Sequence, residues 1–327
     1  MSLHPALIFL GGLVVLVLGA ELLLRGATRI AAMLGVRPIL IGLTVVAIGT
    51  STPELAVGLT SVREGMGSLS VGNIAGANLY IILFLLGLSA LWRPLPLHLQ
   101  SVRLDVPVMI ATALALLLMT LDGQLSRNEG LLLLCGAVVY LVLLVRQSRR
   151  ESVAMKHEFA QEYSRDALKT ETGLKPWLWN LLLLAVGMAL CVLGANLLVA
   201  GAVSIARLFG VPEAVIGLTI VAFGTNAPEA ATTLVATWKN DRDVAIGNLI
   251  GSSITNILVI LGLTLVASPG PISVDRGLLW IDLPLAALVA LVCYPVFRSG
   301  QQISRLEGGL FVSAYLIYLA LLLWLRA

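Results

Sequence analysis

Glu54 and Glu229 sit where a carboxylate is costly. Each follows a proline inside a long apolar stretch, in Gly49-Thr50-Ser51-Thr52-Pro53-Glu54 and Gly224-Thr225-Asn226-Ala227-Pro228-Glu229. An acid at bilayer depth needs a cation, a proton or a partner to offset its lost hydration. Proline lacks an N–H and disfavours helix at the residue before it, so a helix break is expected near Gly49–Thr52. Carbonyls from Ala47 to Thr50 then lose helical partners, which is tolerated only where the backbone is buried or lines a polar cavity. Those carbonyls, the hydroxyls of Thr50 and Ser51, and the Glu54 carboxylate are hard oxygen donors. Calcium takes about six to eight such ligands, more than one turn supplies. The second copy offers the rest through Thr225, Asn226 and Glu229, and two facing carboxylates neutralise a divalent ion. Proline followed by glutamate is also simply a good helix start, and one copy in a soluble chain reads that way. Two copies at membrane depth point to a cation site shared by two half-molecules.

The elements that position these residues are membrane spans. The 327 residues are 58% hydrophobic and 12% charged, with net charge +3 and mean hydropathy +0.98. That composition excludes a soluble domain. No basic patch suits nucleic acid, and no phosphate loop, nucleophile elbow or HExxH motif suggests an enzyme. Apolar windows give ten spans, near 6–24, 38–62, 69–91, 104–121, 128–146, 177–206, 212–238, 244–267, 278–297 and 304–325. The run from Ala6 lacks a basic leader and a cleavage site and continues into Glu21 and Arg25, so it reads as a retained first span. Cys135, Cys191 and Cys293 lie alone in apolar runs and read as small core residues. His4, His98 and His157 fall in termini or loops, which argues against a histidine relay.

The chain repeats itself. One constant offset aligns the halves from about Val17 to Leu91, matching Gly72-Asn73-Ile74-Ala75-Gly76 with Gly247-Asn248-Leu249-Ile250-Gly251. Shared Gly, Pro, Asn and acids, rather than Leu and Val, make the repeat specific. Residues 1–146 form the first half (motif 42–89), 147–175 a polar linker, and 176–327 the second half (motif 217–264). Five spans per half is odd, so the second half enters from the opposite side. The expected fold is an all-α membrane protein of ten transmembrane helices in two inverted five-helix repeats, with broken helices at the ion site. Loops after spans 1, 3, 5, 7 and 9 carry 16 of the 21 Lys and Arg, which predicts a cytoplasmic linker and extracytoplasmic termini.

The Gly-Asn-x-x-Gly glycines are expected to pack against the broken helices, and Asn73 and Asn248 to cap helices or bond the unwound turns. Ser252 and Asn256 share a helix face, whereas Ala77 and Ile81 stand at the equivalent first-half positions. Asn78 and Ser253 lie one position round and face either cavity or neighbour. Glu21 and Arg25 form an i, i+4 pair. Asp105 and Asp282, just before prolines, suit interface or helix-start roles.

At these motifs the chain resembles the cation/calcium exchanger superfamily, of the prokaryotic sodium/calcium antiporter type. The resemblance covers essentially the whole chain. It implies a calcium site from Glu54 and Glu229 with the carbonyls of Thr50 and Thr225. It implies sodium sites at Ala47, Ser51 and Glu54 on one side and Ala222, Thr225, Glu229 and Ser252 on the other, with Asn226 in place of a serine. The family pattern is broken at Ala77 (serine usual), Ile81 (asparagine usual) and Asn256 (often aspartate). The expected function is antiport of Ca2+ for Na+ by alternating access, spans 1 and 6 sliding on a core of spans 2, 3, 7 and 8. Proton-coupled cation antiport is the nearest alternative, and a passive cation channel the alternative of another class. Ca2+ and Na+, or H+, are the expected partners, as substrates and with no resident cofactor. The chain is expected to lie in the cell (inner) membrane and to work as a monomer.

Overall fold

Apolar side chains on all sides of a helix bury poorly in water but freely in lipid or protein, and the chain folds accordingly into helices. The computed structural model describes residues 4–34, 36, 38–96, 104–150, 174–210, 220, 222–298 and 302–326. Most of the linker (151–173), His98, His157 and most of the start of the seventh span (211–219 and 221) lie outside the described residues.

In chain order the helices are α1 (Pro5–Leu34), α2 (Pro38–Thr50), α3 (Thr52–Arg63), α4 (Gly67–Trp92), α5 (Asp105–Met119), α6 (Arg127–Arg150), α7 (Leu174–Leu208), α8 (Ala222–Thr225), α9 (Ala227–Trp238), α10 (Arg242–Ala267), α11 (Leu278–Arg298) and α12 (Arg305–Arg326). Among the described residues, seven are long and apolar enough to cross a bilayer, or eight if bent α2–α3 counts as one span. Helix α5 has 15 residues and α9 has 12, shorter than the windows expected there. Four two-residue strands depart from the all-helical expectation. They are β1 (Leu95–Pro96), β2 (Gln124–Leu125), β3 (Ile272–Ser273) and β4 (Gln302–Ile303), paired antiparallel as β1 with β4 and β2 with β3. Two residues are too few to show an alternating pattern.

The main hydrophobic core is built on α4, α5, α6, α10, α11 and α12, and among the described residues it contains none from α1 or α7. Those two helices pack on each other and share smaller apolar clusters with α9, the start of α10 and α2. Gly12, Gly19 and Gly26 of α1 recur every seven residues and face α7, while Gly187, Gly194 and Gly201 of α7 face α1. A Cβ on Gly19 would lie 2.6 Å from the Cys191 N and 2.9 Å from the Gly187 O. Backbone contact this close is the small-residue packing typical of membranes. Large side chains such as Leu132, Val138, Leu306 and Leu310 point outward from α6 and α12, as a lipid-facing surface requires. Cys191 and Cys293 are buried as expected, but Cys135 is exposed on α6, turned outward with that surface.

Candidate cation site

Both copies of the signature interrupt their helix at a single residue. Helices α2 and α3 meet at Ser51 with a bend of 41°. Ser51 has φ −81° and ψ 11°, and Asn226, at the equivalent point between α8 and α9, has φ −86° and ψ 7°. Pro53 and Pro228 stand in the first turn of the following helix, where their missing N–H is no loss. The break is narrower than expected. The Ala47 carbonyl keeps a backbone partner, accepting from the Ser51 N–H at 3.1 Å, because proline removes only the donor four residues after Gly49.

The carboxylates project from the first turns of α3 and α9 and are fully buried, Glu54 at 0% and Glu229 at 1% exposure. Among the described residues, neither Glu54 oxygen meets a hydrogen-bond donor from another residue. One Glu229 oxygen accepts from the Ser51 hydroxyl at 3.1 Å, so the first copy reaches directly into the second. Buried acids left this way call for a cation or proton between them.

Of the other expected ligands, Ala47, Thr50, Ser51, Asn226, Ser252 and Asn256 are buried, and Thr225 is half-buried. Ala222 opens α8, and its side chain lies outside what is described. The Ser252 hydroxyl and Asn256 carbonyl oxygen, both at 0% exposure, have no partner among the described residues. The Asn256 amide donates to Asn78 Oδ1 at 3.2 Å, and the Asn78 amide donates to the Ser253 carbonyl at 3.1 Å. Asn78 therefore faces its neighbour α10 and supplies the amide beside Asn256 that the pairing of Ala77 and Ile81 with Ser252 and Asn256 did not reveal.

The two motif asparagines behave differently. Asn248 donates to the Thr232 hydroxyl at 3.0 Å and the Thr233 hydroxyl at 3.1 Å, and its oxygen accepts from Thr50 at 3.3 Å. This ties α10 to α9 and to the break in α2, the bonding role expected of it. The Asn73 amide is buried with no acceptor among the described residues. In the first half Val57 and Gly58 stand where Thr232 and Thr233 stand in the second, so the clamp cannot form. Gly247 and Gly251 press on the backbone of Ile39 and Leu43 in α2, and the equivalents of those contacts around Gly76 fall outside the described residues.

Asp105 opens α5, the helix-start role expected of it, while Asp282 lies one turn inside α11, and both are buried. Each accepts from a tyrosine, Tyr140 at 3.1 Å and Tyr318 at 2.8 Å, which satisfies part of the burial cost. Glu21 pairs with Arg25 as expected, and also with Lys239 at the end of α9. A cavity of about 650 Å³ leads inward from Ser68 and Asp275 to Asn73, Tyr80, Thr225 and Asn226. Thr225 and Asn226 of the second motif thus form part of that cavity's wall.

Residues 4–146 and 179–324 match the family described as sodium/calcium exchanger protein. The chain belongs to that family. Inner membrane protein YrbG of Escherichia coli (strain K12) is 34% identical, with 99% of this chain and 98% of that protein aligned. Sodium/calcium exchanger MaX1 of Methanosarcina acetivorans is 29% identical over 98% of both chains. A solved structure of the sodium-calcium exchanger NCX_Mj superposes with TM-score 0.83 and 28% identity, covering 98% of this chain and 100% of that one. As a member of the exchanger family the chain is a multi-pass membrane transport protein and not an enzyme.

Proposed function

We propose that this exchanger-family chain is a secondary antiporter that moves Ca2+ against Na+ through one site between Glu54 and Glu229. The observation that carries the reading is the burial of both carboxylates at matched helix breaks, with both Glu54 oxygens lacking donors from other residues among those described. Ca2+ would bind between the two acids, aided by the carbonyls of Thr50 and Thr225. Na+ would use overlapping oxygens at Ala47 and Ser51 on one side and at Ala222, Ser252 and Asn226 on the other, with Asn256 lining the site. Competition for the same carboxylates couples the two fluxes, since an empty, doubly charged site is too costly to carry across.

Ten spans in two inverted halves, 1–146 and 176–327 about the 147–175 linker, support such a site. The repeat offset recurs as physical contact: Asn78 meets Ser253, and Leu16 meets Cys191, each pair 175 residues apart. Residues related by the repeat touch where a pseudo-two-fold axis passes. The charge bias places the linker in the cytoplasm and the termini outside an inner membrane. Ser68 and Asp275 then lie on the outer side, so the cavity they open is an outward-facing vestibule. A single chain carries both halves of the site and works as a monomer.

Proton coupling is the second reading, favoured by Ala77 and Ile81, which take two oxygens from the sodium-side ligands. Glu54→Gln and Glu229→Gln test the site itself. Each is expected to abolish 45Ca2+ uptake into Na+-loaded proteoliposomes while eluting as a folded monomer. Normal exchange by either variant removes that residue from the site.

A further inference from the structure

The vestibule ends against a box of aromatic rings that the two carboxylates do not account for. Tyr80 of α4 meets Phe223 of α8 edge-on, with centroids 4.9 Å apart and planes at 80°, and meets Tyr315 of α12 at 5.7 Å. Phe84 closes the box at 5.3 Å from Tyr80. Such edge and offset contacts fix ring positions. Phe223 lies two residues before Thr225, so the box is joined to the broken segment of the second motif.

Tyr80 itself is 6% exposed, and that small surface belongs to the cavity wall it shares with Ala77, Thr225 and Asn226. Asn73, Ala77 and Tyr80 follow one face of α4, so the face that loses an oxygen at Ala77 carries a phenol one turn further on. Ile81 is fully buried and brings no oxygen, and Asn78 is engaged with α10. The repeat equivalent of Tyr80 is Thr255, so a hydroxyl stands at this position in both halves.

We infer that Tyr80 is a specificity-determining residue, whose hydroxyl at the inner end of the vestibule supplies the oxygen that Ala77 and Ile81 do not. A divalent cation shedding water on its way to Glu229 meets this oxygen within a wall of ring faces that also attract cations. The inference rests on the exchange reading above, so its test measures binding and transport separately.

The experiment is equilibrium 45Ca2+ binding to the purified full chain, with Na+ as competitor, for wild type, Tyr80→Phe, Tyr80→Leu and Tyr80→Phe with Ala77→Ser. Tyr80→Phe keeps the ring box and removes one oxygen. It is expected to weaken Ca2+ binding about tenfold or more, the weight of one hydrogen-bonding group on a charged partner. Tyr80→Leu should weaken it further, and Ala77→Ser should restore most of the Tyr80→Phe loss. A purely structural tyrosine would not be rescued by a serine one turn away. Unchanged Ca2+ affinity in Tyr80→Phe overturns the inference while leaving the exchange reading intact. Wild type that binds no Ca2+ overturns both.

Discussion

At the scale of single residues, the site is held less by its carboxylates than by the polar groups that fix the backbone around them. Asn248 joins Thr50, Thr232 and Thr233 in a fully buried cluster, and its first-half counterpart Asn73 has no acceptor for its amide among the described residues. Asn248→Ala should therefore cost about 2–3 kcal/mol, the loss of several buried hydrogen bonds with hydroxyls left unpaired. Asn73→Ala should cost under about 1 kcal/mol. Denaturant unfolding of both variants in detergent checks the difference, and equal losses would show that the clamp does not stabilise the fold. Glu54 and Glu229 were legible in the sequence because an acid in an apolar run stands out on composition alone. Asn78, Thr232 and Thr233 were not, because their role depends on which helix each side chain meets, and hydroxyls on an apolar helix ordinarily bond their own backbone.

At the scale of elements, proline set the position of the breaks. Pro53 and Pro228 announced them, and the structure narrowed each to one residue. The π-helical turns at Gly42–Val46, Tyr80–Leu86, Asn256–Leu261 and Leu278–Asp282 carried no such signal, since no one residue type marks all four. The contact of α1 with α7 rests on glycines spaced by seven. Gly19→Val places carbon against the backbone of α7 and should lower the yield of folded protein and its thermal midpoint, because backbone cannot shift as a side chain can. Gly11→Ala meets nothing within 4 Å and should be neutral. Equal behaviour of the two in a thermal-shift assay would contradict close packing of this pair.

At the scale of the whole molecule, the repeat explains how two acids far apart in sequence come together. It was readable because Gly, Pro, Asn and Glu recur where apolar drift would not preserve them. Which face of the molecule is open was not readable, since that is a property of one state and not of the sequence. The asymmetry between halves, with a clamped Asn248 and an unclamped Asn73, an aromatic box on one side only, and oxygens missing at Ala77 and Ile81, bears on which ion drives transport. The direct measurement is 45Ca2+ uptake into proteoliposomes under an outward Na+ gradient, a pH gradient, or neither. Sodium-coupled exchange requires saturable uptake driven by the Na+ gradient and little without it. Uptake indifferent to Na+ but driven by protons would contradict sodium coupling, and non-saturating flux without any gradient would contradict antiport altogether.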